Sequence, residues 1–282
     1  LCKEAGGVET FLIGSEMAAL TRVRSASGIY PACNHLAQLA VDVAAIAGIG
    51  TAISYAADWT EYGAHVLGNG DEVRFPLDVL WSLPEIAFVG IDAYWPMSDW
   101  RDGTTHLDAT EAQSIYDLKY LKRGLTGGEG YDWYYANAED RKYQNRTAIT
   151  DGASNKPWVF RQKDISNWWS NAHHERMNGT ELPAPTGWVP QSKPIWLTEI
   201  GCPAVDKGSN APNVFPDDKS SENAIPYFSS GFRDDLIQQR MLQAILEHFA
   251  PSSAEFQDSD NPLSTIYGGR MVRADRSHIW AC

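Results

Sequence analysis

The 282-residue sequence predicts an α/β chain of the (β/α)8 barrel type. Three observations predict it. Short apolar strands alternate with amphipathic helices, the pattern of parallel strands joined by right-handed crossovers. The C-terminal ends of those strands carry acids and aromatics, as a barrel mouth does. None of the strands is followed by the glycine-rich turn of a nucleotide-binding open sheet, and Gly48-Ile49-Gly50 precedes its strand and reads as a helix stop.

The elements run in this order. TFLIGSEM (10–17) is a strand ending at Glu16. NHLAQLAVDVAAIAG (34–48) has helical spacing, with Leu36, Leu39, Ala40 and Val43 on one stripe. TAISYAADW (51–59) is a strand ending in Asp58 and Trp59. A short helix at PLDVLWSL (76–83) leads to the strand AFVGIDAYWP (87–96), which carries Asp92, Tyr94 and Trp95 and stops at Pro96. SIYDLKYLKRGL (114–125) is a helix, KPIWLTEIG (193–201) a strand carrying Glu199, and FRDDLIQQRMLQAILEHFA (232–250) the most strongly patterned helix. SHIWAC (277–282) is a fifth strand, with Trp280.

Residues 97–191 are too long for a strand–helix connection, which usually takes ~2–6 residues, and read as an insertion. It is rich in Trp: Trp100, Trp133, Trp158, Trp168, Trp169 and Trp188. Two readings stand. Exposed, these rings suit stacking on the apolar faces of sugars; buried, they give the insertion its own small core. Trp168 and Trp169 are adjacent, so an extended segment turns at most one inward.

Composition narrows the function. The formal net charge of −13 argues against nucleic acid and anionic membrane surfaces as partners, since both bind through Lys and Arg. No apolar run reaches the ~20 residues of a membrane span; the closest, Leu36 to Ala57, is interrupted by Asp42, Gly48 and Gly50. LCKEAGGVET lacks the basic and apolar regions of a signal peptide, so export by that route is not indicated. Cys2, Cys33, Cys202 and Cys282 form no CxxC pair and are read as free thiols. His173, His174 and Glu175 are consecutive, so in a strand they point to opposite faces; a solvated loop is the preferred reading and no metal is expected. There is no Gly-x-Ser-x-Gly elbow, and LTGGEG (125–130) lacks the Lys-Ser/Thr of a P-loop. No cofactor is expected.

Counting strands back from Glu199 reaches Glu16 three strands earlier. This spacing resembles the largest TIM-barrel clan of glycoside hydrolases, in which a general acid/base Glu ends strand four and a nucleophilic Glu ends strand seven. The resemblance implies Glu16 as acid/base and Glu199 as nucleophile, with Asp58, Trp59, Tyr94, Trp95 and Trp280 binding substrate. The clan usually has Asn before its acid/base; Ser15 stands there, which removes a hydrogen bond to the sugar 2-hydroxyl. Longer blocks are more specific. FLIGSEM, ISYAADWTEY, FVGIDAYWPMSDWRDG, GGEGYDWYYAN, ITDGASNKPWVFRQKDISNWWSNAHHER and WVPQSKPIWLTEIGCPAVDKGSNAPNVFPDDKSSE resemble the TIM-barrel-like domain of gene transfer agents and prophage tail hub proteins. That resemblance implies a partial barrel, strands four to eight, within a longer chain. It also implies a phage-tail-type particle assembled in the cytoplasm and acting at the cell envelope. The expected partners are a polysaccharide or peptidoglycan substrate and other tail or baseplate proteins.

Two glutamates at that separation suit retaining hydrolysis, which needs carboxyls ~5–5.5 Å apart, one protonated and one attacking. Burial raises the pKa of such an acid, while a hydrogen bond from a group such as Tyr94 favours a carboxylate form. Asp58 and Asp92 have two readings, sugar hydroxyls or loop amides. The rival function is a structural or carbohydrate-binding barrel without catalysis.

Overall fold

The computed structural model describes residues 1–26, 28–221 and 223–280. In chain order the strands are β1 (Thr10–Ser15), β2 (Ala52–Asp58), β3 (His65–Leu67), β4 (Glu72–Arg74), β5 (Val89–Ala93), β6 (Trp133–Tyr134), β7 (Thr147–Ala148), β8 (Arg176–Met177), β9 (Thr180–Glu181) and β10 (Ile195–Ile200). The helices are α1 (Ala18–Thr21), α2 (Pro31–Ala47), α3 (Asp78–Trp81), α4 (Leu118–Arg123), α5 (Ala138–Tyr143), α6 (Ile165–Ser170) and α7 (Asp235–Phe249).

The main sheet has the order β1-β2-β5-β10, every pair parallel, so its strands follow one another in space as they do in sequence. Beyond β10 the chain adds single parallel bridges, Ile195 to Val272 and Ile200 to Ile279. The expected strand at 277–282 is therefore a bridged segment. Met271 to Trp280 run beside β10 in two pieces, because a 3-10 turn at Ala274–Arg276 separates the bridges. Ala281 and Cys282 lie outside the described residues. Among the described residues β1 pairs only with β2, and the sheet does not close into a barrel.

Strand alternation divides the sheet into two faces. Ile53, Tyr55 and Ala57 of β2, Val89, Ile91 and Ala93 of β5, and Ile195, Leu197 and Ile200 of β10 join one apolar core with α2, α3 and α7. On α2 the buried stripe is Cys33, Leu36, Ala37 and Ala40. Leu39, expected on it, is 40% exposed: it lies roughly 100° around the helix from Ala40 and falls outside the stripe. The helix starts with Pro31 at its first position and stops at Gly48, whose φ of 86° suits glycine. On α7, Ile237, Met241, Ala244 and Ile245 are buried in that core, and Asp234 caps its first amides.

Toward the C-terminal ends of the strands the opposite face carries small and polar side chains, Ser54, Ala56 and Asp58 of β2, Gly90 and Asp92 of β5 and Thr198 of β10, while Trp196 of β10 stacks on Phe88 nearer the other end. Gly90 is required there. A Cβ would sit 2.5 Å from the Tyr55 carbonyl oxygen and 3.1 Å from Thr198 Cγ2.

Residues 97–191 resolve the aromatic question in favour of burial. Trp158, Trp168, Trp169 and Trp188 are all buried, in the same core as the sheet rather than one of their own, Trp100 and Trp133 are half-buried, and Tyr134 and Tyr143 are exposed. Trp168 and Trp169 are not in an extended segment but in α6, and both turn inward, at 2% and 0% exposure. Successive helical residues are only ~100° apart, so a deep groove takes both. The expected solvated loop does not hold for His173, which is fully buried; His173, His174 and Glu175 have three separate partners, Asp78 at 2.8 Å, the Leu182 carbonyl at 2.9 Å, and Arg74 at 2.5 Å. Among the described residues no group of three or more His, Cys, Asp or Glu is arranged to hold a metal ion. Among the described residues no helix is long and apolar enough to cross a membrane. Cys2, Cys33 and Cys202 are free thiols, as expected of a chain long enough to fold without disulfides.

Candidate active site

Both glutamate-bearing strands are irregular just before the glutamate. In β1 the register moves from Leu12 opposite Ser54 to Ser15 opposite Ala56, one extra residue on β1. In β10 it moves from Leu197 opposite Ile91 to Glu199 opposite Asp92, again one extra residue. Strict alternation from Leu197, a core residue, would send Glu199 into the core as well. The extra residue re-aims it to the face that carries Asp92.

Glu16 is turned by its backbone. Its φ of 50° is left-handed, a conformation that costs a non-glycine residue roughly 1–2 kcal/mol. Two bonds to β2 hold it: Glu16 N–H donates to the Ala56 carbonyl at 2.9 Å, and Met17 N–H donates to the Tyr55 hydroxyl at 2.7 Å. Tyr55 in turn donates to the buried carboxyl of Glu61 at 2.9 Å, which also accepts from Thr21 at 2.5 Å.

Asp92 links the two strands. It is fully buried and accepts the Ser15 hydroxyl at 3.1 Å and the Thr198 hydroxyl at 2.7 Å. Ser15 precedes Glu16 and Thr198 precedes Glu199, so one carboxyl fixes the backbone before each glutamate. Glu199 is half-buried and accepts the Tyr94 phenol at 2.5 Å. The Tyr94 ring meets Phe215 edge-on at 5.8 Å.

The electrostatics are one-sided. Among the described residues no Lys or Arg forms an ion pair with Glu16, Asp58, Glu61, Asp92 or Glu199. Glu16 is exposed as a residue, yet desolvation of its carboxyl, then the charges of Asp92, Asp58, Glu199 and Glu61, push its pKa up to about 7. Burial pushes Asp92 up to about 6, with the Thr198 hydroxyl opposing and the Glu199 charge adding to the rise. Burial also raises Glu61, against the hydrogen bonds from Thr21 and Tyr55. For Tyr94, burial and then its bond to Glu199 raise the pKa, so it stays a donor.

The other expected site residues divide. Asp58 stands opposite Asp92 in register and accepts the Thr60 amide at 2.7 Å, the loop-amide role. Trp59 lines two cavities, of about 360 and 600 Å³, between the end of β2 and the 97–191 stretch. Trp280 is 53% exposed and lines a cavity of about 890 Å³ with Phe215 at the end of β10. Trp95 is different. At 2% exposure it belongs to the core and presents no face to a ligand.

Sequence reasoning did not find the central role of Asp92 or the contribution of Thr198. The available signal was a carboxylate inside the apolar run AFVGIDAYWP, since a buried charge needs partners. The Phe215 contact, brought by the long loop after β10, left no signal in periodicity.

The profile of one family, described as the GTA TIM-barrel-like domain, matches residues 1–282. No curated protein matches the chain.

Proposed function

The chain belongs to the GTA TIM-barrel-like domain family, and from that premise we propose a glycoside-hydrolase-like module of a phage-tail-type particle, hydrolysing a cell-envelope polysaccharide with retention. In this reading residues 1–282 are one barrel-type domain, the open sheet corresponds to strands four to eight, and 97–191 is an insertion between strands six and seven. Assembly takes place in the cytoplasm, with other tail or baseplate proteins as partners.

The observation that carries the reading is the asymmetry between two carboxyls aimed at one face. Glu16, with its pKa near 7, holds a proton in about half the molecules at neutral pH, as a general acid must before it protonates a leaving oxygen. Glu199 is oriented by the Tyr94 phenol and serves as the nucleophile. It attacks the anomeric carbon as the bond to the leaving oxygen breaks, and Glu16 gives that oxygen its proton. Glu16, now a carboxylate, takes a proton from water, which attacks the glycosyl ester and releases Glu199. Two inversions leave the configuration retained. The test is the anomer first formed from a cell-envelope oligosaccharide, followed by NMR before mutarotation; release of the inverted anomer would contradict it.

One observation favours a second reading, a carbohydrate-binding barrel without turnover. The Ser15 hydroxyl is committed to Asp92 and does not supply the sugar 2-hydroxyl bond that Asn gives in the clan it resembles.

A further inference from the structure

The 360 Å³ cavity at the end of β2 lies within the size range of small-molecule sites. Its charge is unlike that of the rest of the chain. The molecule carries a formal net charge of −13, yet among the described residues lining this cavity there are two arginines, Arg22 and Arg161, and no Asp or Glu. Trp59, Tyr62 and Trp168 supply aromatic wall.

The arginines are incompletely partnered. Arg22 follows α1, the helix that starts two residues after Glu16, and donates to the Thr60 carbonyl; among the described residues no carboxylate lies within 4 Å of it. Arg161 lies over the Tyr131 ring at 4.5 Å and reaches Asp164 only at 3.4 Å, and its buried Nε has no partner. The buried indole N–H of Trp168 also lacks an acceptor. The Trp168 ring lines the cavity, while its nitrogen is shielded behind Gly63, where a Cβ would lie 3.7 Å from it. His65, on the same wall, bonds to Tyr30 at 3.0 Å, and burial followed by the charges of Arg22 and Arg24 lowers its pKa, so it adds a neutral ring. Guanidinium N–H groups without a close carboxylate in a partly desolvated pocket are costly until something accepts from them.

We propose that this cavity binds a carboxylate-bearing pyranose, a unit of the same polysaccharide that reaches Glu16 and Glu199. The inference rests on the reading that the substrate is a saccharide, but needs no turnover. Guanidinium forks match a planar carboxylate, and an aromatic wall matches the apolar face of a pyranose; a neutral sugar satisfies only the second. The carboxylate has two chemical sources, a uronic acid or a lactyl ether on an amino sugar.

The test uses the intact protein carrying Glu199→Gln, with dissociation constants measured by NMR titration for methyl β-D-glucuronide, N-acetylmuramic acid and methyl β-D-glucoside. One of the two acids is expected to bind at least about tenfold more tightly than the neutral glucoside, and which one does so identifies the source. Arg22→Gln and Arg161→Gln should each reduce that preference, with unchanged far-UV circular dichroism, and Trp59→Ala should weaken all three ligands. Equal affinity for acids and glucoside would overturn the proposal. So would a preference that survives both arginine variants, or competition by acetate as strong as by the sugar acid. If Glu199 is labelled by an activated glycoside in the Glu16→Gln variant while no acid preference exists, this inference alone fails; if the preference exists without that labelling, hydrolysis fails and the cavity stands.

Discussion

Ser15 donates its hydroxyl to Asp92 across 3.1 Å, joining the residue before one glutamate to the carboxylate that also receives the residue before the other. The two strands that carry Glu16 and Glu199 are not neighbours; β2 and β5 separate them. Their glutamates are nevertheless set by a common acceptor, and its charge acts on Glu16.

Asp92→Asn removes one of the charges that hold the Glu16 pKa near 7. The Glu16 pKa should fall, and with it the alkaline limb of kcat/KM, because the acid is lost at lower pH. A pH–rate profile checks this. An unmoved limb would assign it to another group.

Tyr94→Phe takes the phenolic bond from Glu199 while keeping the ring against Phe215. We expect kcat to fall by about 100- to 1000-fold, the range for loss of one oriented hydrogen-bond donor at a reacting oxygen, with Tm little changed. A fall in Tm matching the fall in activity would make Tyr94 merely structural.

Tyr55→Phe strands the Met17 amide and one bond to buried Glu61. Leaving such groups unpaired costs about 1–3 kcal/mol, read as a lower urea midpoint at unchanged m-value. Activity should fall too, since the Met17 bond holds the left-handed backbone of Glu16.

Stability should depend on pH through Glu16. Its folded pKa of about 7 stands above the ordinary 4.5, so between those values the folded state binds more protons than the unfolded one. Its contribution is therefore fully present below pH 4.5 and is lost as pH rises through 7. In Glu16→Gln the Tm–pH curve should lose that downward slope. An unchanged curve between those limits would mean that the raised pKa belongs elsewhere.

Much of the sheet was legible because apolar runs bounded by Gly, Pro and charged residues mark strands wherever both faces are covered. Glu16, Asp58 and Glu199 were legible as strand-end acids. What lay beyond reach has a common cause: the features that aim these acids are local departures from regularity. An extra residue in β1 and in β10 and a positive φ at Glu16 obey no period. Trp95 was misread because the two-residue alternation that puts Asp92 and Tyr94 on the site face puts Trp95 on the other, in the core. The helix that carries Trp168 and Trp169 left no signal because its six residues, capped by Asp164, are too few to show a stripe.

The two glutamates should fail in different ways. Glu16→Gln should still turn over the first step with activated aryl glycosides, whose leaving groups need little protonation, and then hydrolyse the intermediate slowly; Glu199→Gln should form no intermediate with any leaving group. Azide should rescue Glu16→Ala as a glycosyl azide of retained configuration.

The most direct measurement is the intact mass of Glu16→Gln after incubation with a panel of activated 2-deoxy-2-fluoro glycosides, followed by peptide mapping. The expected result is one glycosyl increment on Glu199 with at least one sugar of the panel, absent in the Glu16→Gln/Glu199→Gln double variant. Oligosaccharide binding with no adduct on Glu199 from any sugar, or an adduct on another residue, would contradict the assignment of Glu199 as nucleophile.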